Sequence, residues 1–214
     1  MGTLDRKPGG FATALLVGLV LIAVAATGGI LAWRRSKTEH IRRNEQRAGM
    51  AVRFLAPAQA DFRANDRDGN KVNDFWTGDV AGLHYLYDSA SLLLSTPGAP
   101  IRVVSQSIAD ADPAPAGTRS IPAVPFHGYY FRAMDFDEDG NALRRDTGGT
   151  GPNGSKNRNT ARFAFCAYPA EYGRTGRLTF IISEGNEVFW ADTGGKPVLR
   201  WPAGPRKAGW SSPD

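Results

Sequence analysis

Arg177-Leu178-Thr179-Phe180-Ile181-Ile182-Ser183-Glu184-Gly185-Asn186-Glu187-Val188-Phe189-Trp190-Ala191 is the stretch that decides the fold. Two runs rich in β-branched and aromatic residues flank Glu184-Gly185-Asn186, a tight-turn signal. The spacing predicts a β-hairpin, with one strand over Arg177–Ser183 and the next over Glu187–Ala191. Working back from it, Pro169-Ala170-Glu171-Tyr172-Gly173 reads as a connection, Arg162–Tyr168 as a preceding strand and Tyr129–Met134 as the first. The apolar face of this antiparallel sheet of about four strands needs helix to cover it. Beyond the hairpin, Lys196–Asp214 carries four prolines, Trp201 and Trp210, and reads as an extended tail pinned by aromatics.

Ahead of Phe126 the pattern changes. Ser89–Pro125, rich in Pro, Ala and Ser, reads as a surface wrap with one short element near Ile101–Ile108. Val80, Leu83, His84 and Tyr87 fall on one helical face, so Asp79–Tyr87 is expected to be helical, with Thr77 or Asp79 as its cap. Asn65–Asp74 is a polar loop. Within Ser36–Phe62, Ala48, Val52, Leu55, Gln59 and Phe62 recur at three- and four-residue steps, which predicts an amphipathic stem helix interrupted near Pro57.

At the front stands an uncharged run, Phe11–Trp33. At 1.5 Å per residue its 23 residues span roughly 34 Å, enough for a hydrocarbon core of about 30 Å. The reading is therefore α+β: a leader over 1–10, a transmembrane helix over 11–33, a helical stem over 34–64 and an extracytoplasmic α+β domain over 65–214.

The net charge of +5 does not point to nucleic acid, because no nucleic-acid motif accompanies it. Its densest cluster, Arg34, Arg35, Lys37, Arg42, Arg43 and Arg47, follows the apolar run directly, so membrane lipid headgroups are its expected partner. The same arginines, counted alone, place the large domain in the cytoplasm. The leader points the other way. Arg6-Lys7-Pro8-Gly9-Gly10-Phe11, a basic tip and a glycine ahead of Phe and an apolar helix, resembles the prepilin leader of type IV pilins and secretion pseudopilins. That resemblance implies cleavage after Gly10, export of the domain, and a structural or assembly role in a homo- or hetero-oligomer. Leu15 stands where that family has Glu, the residue that helps register subunits in a filament. A non-cleaved signal anchor is the alternative.

Three blocks carry a second resemblance: Pro125-Phe126-His127-Gly128-Tyr129-Tyr130-Phe131-Arg132, Phe163–Gly173 with its Ala-Tyr-Pro-Ala-Glu-Tyr-Gly core, and Leu178–Ile182. Over roughly the last 90 residues the chain resembles an uncharacterised family of bacterial envelope proteins, a domain of unknown function. This implies an exported domain and brings no catalytic residues. The polar insert Asp135–Thr160 departs from the family's spacing.

Two acidic loops have the spacing of calcium loops. In Asp66-Arg67-Asp68-Gly69-Asn70-Lys71-Val72-Asn73-Asp74, side chains at positions 1, 3, 5 and 9 and the Val72 carbonyl at 7 can ring a cation, with Lys71 at the position where glycine is usual. In the second, Asp135, Asp137 and Asp139 fall at 1, 3 and 5, Gly140 at 6 and Asp146 at 12. Asx-rich, solvated turns are the plain reading of both loops, and calcium, at near-millimolar concentration outside the cytoplasm, is the candidate ligand. No catalytic constellation emerges. His84, His127 and Cys166 lack the spacing of a nucleophile and base, Glu171 reads as an exposed turn residue, and Gly148-Gly149-Thr150-Gly151 is not a phosphate loop. The chain is read as non-enzymatic.

Overall fold

The computed structural model describes residues 10–87, 100–115, 122–149 and 156–213, and for residues 10–27, 30 and 31 it describes the helical backbone alone. The chain divides into two compact units, Met1–His40 and Ile41–Asp214. Helix α1 covers Gly10–Arg53. Leader residues 1–9 lie outside the described residues, as do the side chains of most of the expected membrane span. Among the described residues no helix is long and apolar enough to cross a membrane.

Within the larger unit, the Ile41–Arg53 part of α1 leads into α2 (Leu55–Ala64). The helix breaks at Phe54, upstream of the expected Pro57, and the reason is local. Pro57 has no N–H to offer the carbonyl of Arg53, four residues back, and its ring crowds that turn. Pro57 instead sits in the first turn of α2, where a missing N–H costs little.

The main sheet has the order β2-β4-β5-β6, all antiparallel, from Tyr129–Ala133, Ala164–Pro169, Leu178–Ser183 and Phe189–Asp192. Its register pairs Phe131 with Ala167, Phe165 with Ile182 and Phe180 with Trp190. The α+β class and the four-stranded antiparallel sheet match the expectation. One face, with Phe131, Phe165, Ala167, Phe180 and Ile182, packs with Ala48, Val52, Leu55 and Phe62 of the helices. Gly49 is what permits this approach, because a Cβ there would stand 3.2 Å from the Phe180 ring. The other face is also covered. Ala164, Cys166, Ile181 and Phe189 meet Met134 just past β2, Leu143 of the insert and Val198, Trp201 and Trp210 of the tail. Burial on both faces explains why β4 is apolar almost throughout rather than alternating.

Two elements depart from expectation. Asp79–Tyr87 is helical only over α3, Gly82–Tyr85, because the Asp79 carboxylate accepts the Gly82 N–H (2.6 Å) and holds 79–81 as an entry turn. A second, two-stranded sheet was not foreseen: β1 (Phe75–Trp76) pairs with β3 (Arg158–Asn159), the end of the polar insert. The remaining short helix, α4, covers Gln106–Ala109.

Candidate functional site

The β1–β3 pairing assembles the most polar interior of the molecule. Gln59 of α2 extends the ladder, accepting the Trp76 N–H (3.0 Å) and donating to the Trp76 carbonyl, and so it sets the height of β1 against the helix. β3 then delivers Arg158, fully buried, beneath the first acidic loop. Its Nε donates to Asp68 Oδ2 (2.5 Å), its Nη2 contacts the same oxygen, and Asp74 Oδ1 lies 3.9 Å from Nε. The guanidinium also stacks 4.2 Å from the Trp76 ring centroid. A planar, weakly hydrated cation is the one basic group suited to such a place.

Asp66, Asp68, Asn70 and Asp74 thus share one turn. Asp68, Asn70 and Asp74 are buried. Asp66 Oδ2 accepts the Lys71 N–H (3.1 Å), Asn70 Oδ1 accepts the Val72 N–H (2.7 Å), and Asn70 Nδ2 donates to Asp74 Oδ2 (3.1 Å). Lys71 takes the left-handed backbone, φ 65°, that the loop requires at its sixth position. Burial pushes Asp68 and Asp74 above the ordinary carboxylate range, and repulsion from Asp66 adds to both; Arg158 opposes the shift at Asp68, and hydrogen bonds from Thr147 and Asn70, then Arg158, oppose it at Asp74.

The second loop is wired differently. Asp137 accepts the N–H groups of Asp139 (3.1 Å) and Asn141 (2.8 Å) and the Asn141 side-chain amide (3.1 Å). Burial works against its charge, but these hydrogen bonds and Arg162 hold its carboxyl below the usual range. Asp135 pairs with Arg132 (3.1 Å) and Arg144 (3.8 Å). Asp139 is exposed, and Asp146 Oδ1 accepts the Gly148 N–H (2.8 Å) in an Asx turn. Its carboxylates are engaged by arginines and backbone rather than drawn to a common point. Among the described residues no group of three or more His, Cys, Asp or Glu side chains is placed to hold a metal ion.

The residues considered for nucleophilic chemistry are separately occupied. Cys166 is wholly buried and its thiol is pushed up to about 12 by desolvation. His84 Nδ1 donates to the Val104 carbonyl (2.8 Å), and His127 Nδ1 accepts from Arg47 Nη1 (3.0 Å). Glu171 is exposed and paired with Arg174 (2.8 Å). Sequence reasoning missed Arg158 altogether. It lies 90 residues from Asp68, in a stretch that resembles surface loop.

On the outer side of the helices, Met50 and Phe54 are 57% and 67% exposed. Met50 lines two apolar grooves, of about 750 Å³ with Phe54, Val104 and Ile108, and about 570 Å³ with Phe180, Val188 and Trp190.

A family model described as a protein of unknown function, DUF2950, matches residues 34–200, from the basic start of the stem through the main sheet into the tail. No curated protein and no solved structure matches the chain. The chain belongs to the DUF2950 family.

Proposed function

We propose that this chain is a membrane-anchored envelope subunit with a pilin- or pseudopilin-like, non-enzymatic structural or assembly role. The observation that carries the reading is the coupling of one long helix to a sheet. α1 begins at Gly10, directly after the basic leader, and its Ile41–Arg53 part packs on a four-stranded antiparallel sheet. Asn44 Nδ2 donates to the Thr175 carbonyl (2.9 Å), and Glu45 Oε1 accepts the N–H groups of Arg177 (2.9 Å) and Leu178 (3.2 Å). The helix is thereby fastened to the sheet by polar contacts as well as by apolar packing. Phe11–Trp33 anchors the chain in lipid, and Arg34, Arg35 and Lys37 meet the headgroups. The exposed Met50–Phe54 ridge and its grooves are the surface on which a neighbouring subunit docks.

Sidedness tests the reading. Protease added to intact spheroplasts should remove the Ile41–Asp214 domain from a chain tagged at its C-terminus. A domain protected until the membrane is permeabilised overturns the exported, pilin-like role.

A further inference from the structure

We infer that the larger groove beside the Met50–Phe54 ridge receives an acidic amphipathic helix from a protein other than this chain. This rests on the reading of that ridge as a subunit-docking face, and it names the partner's chemistry.

Charge comes first. The groove is apolar along Met50, Phe54, Val104 and Ile108, but its rim is cationic. Arg47 stands on the α1 wall and Arg102 on the wall formed by residues 101–104, and both are exposed. Arg47 donates to His127 Nδ1, a neutral acceptor that leaves its charge uncompensated, and Arg102 has no ion pair among the described residues. Among the described residues Asp61 is the only carboxylate on the lining, and Arg67 already holds it (2.9 Å). Across the ridge, exposed Arg42 and Arg53 line the smaller groove. Roughly 17 Å of α1 separates Arg42 from Arg53, with Arg47 between them. A lipid would meet this spread with one headgroup, whereas a peptide answers it with separate acids.

The backbone of the walls selects a helix. The N–H groups of Ile101, Arg102 and Val103 donate inward, to the carbonyls of Leu86 (2.8 Å), His84 (3.3 Å) and Leu83 (2.9 Å). They clamp Arg102 at φ 52° and leave no row of N–H groups for an extended peptide to pair with. A helix satisfies its own backbone and needs only the apolar floor, which it meets with anchors at i, i+3, i+4 and i+7. From Arg47 to Asp61 the helical wall runs roughly 21 Å, room for about four turns. A second copy is the wrong partner. In a two-fold contact through this face, Arg47, Arg53 and Arg102 would meet their own counterparts and repel. Of the acids another face has to bring, Glu138, Glu171 and Glu187 are already paired with Arg162, Arg174 and Arg206.

The test uses the full-length chain in intact cells of its host. Phe54→p-benzoylphenylalanine, at an exposed position, crosslinks on irradiation to whatever lies in the groove, and mass spectrometry reads the joined peptide. The expected product carries a peptide of a different protein, with Asp or Glu flanking apolar residues at helical spacing. Arg47→Glu with Arg102→Glu should cut the yield about tenfold or more, and Arg47→Lys with Arg102→Lys should keep it. If the double reversal lowers the melting temperature, Arg102→Glu alone, at a side chain with no ion pair to lose, should still reduce the yield. An adduct to a second copy of this chain overturns the inference but leaves the docking face standing. A yield indifferent to charge reversal, or a joined peptide without acids, likewise overturns the inference alone. An adduct to lipid only, or none, overturns both.

Discussion

Arg158 is the residue on which the interior turns. It joins the acidic loop to the β1–β3 pair, and it neutralises charge that its neighbours cannot disperse. Arg158→Met keeps the packing on Trp76 and Phe62 but strands Asp68 and Asp74. Breaking a buried pair from one side costs about 3–5 kcal/mol, so urea unfolding should show a loss of that size, and a loss below about 1 kcal/mol would contradict the arrangement. Asp112 gives a second test at the same scale. Its carboxylate is 4% exposed and accepts the N–H groups of Val80 (2.6 Å), Ala81 (3.2 Å) and Ala114 (2.9 Å). Burial nonetheless raises its pKa from 3.8 to about 6. With the folded value above the unfolded one, the folded state binds the extra proton. This contribution is therefore fully present below about pH 4 and is lost as pH rises through about 6. Relative to Asp112→Asn, the wild-type melting temperature should fall between about pH 4 and pH 7, by an amount equivalent to about 3 kcal/mol. A constant difference across that range would contradict it.

At the scale of elements, the helix–sheet junction is the main tie of the fold. Glu45 satisfies two adjacent N–H groups at the start of β5 with one oxygen. Glu45→Ala leaves them to compete for water. It should cost about 1–3 kcal/mol, visible as faster amide exchange at Leu178 with little change at Ile182, whereas uniform acceleration would mean the whole domain had loosened. The four main strands were legible in the sequence because each is a short apolar run carrying aromatics, joined in Leu178–Ser183 by β-branched residues, and Glu184-Gly185-Asn186 places Asn186 at φ 56° as a tight turn needs. The β1–β3 pair was not legible. Phe75-Trp76 and Arg158-Asn159 are two residues each and 80-odd apart, and nothing local in either asks for the other. Asp79 misled for a related reason. It accepts the Gly82 N–H from three residues upstream, but the N-cap is Ala81, so the expected cap is not at Asp79 and the helix is shorter than the apolar spacing implies. The first acidic loop was identifiable from alternate oxygens alone. That Arg158 lies beneath it depended on long-range pairing, whereas the second loop consumes its own acceptors through N–H groups two and four residues on.

At the scale of the molecule, the account joins a leader, an apolar run, a basic collar and a helix fastened to a sheet, within a family matched from Arg34 to Arg200. The family match begins where the apolar run ends, so the proposed anchor rests on this chain's own Phe11–Trp33 and the domain on the family. Intact mass and terminal sequencing of the membrane-extracted protein bear on this most directly. The account predicts a mature chain that starts at Phe11, N-methylated and lacking residues 1–10. A chain that still starts at Met1 or Gly2 would contradict the pilin-like reading and leave a simple signal anchor carrying the same domain.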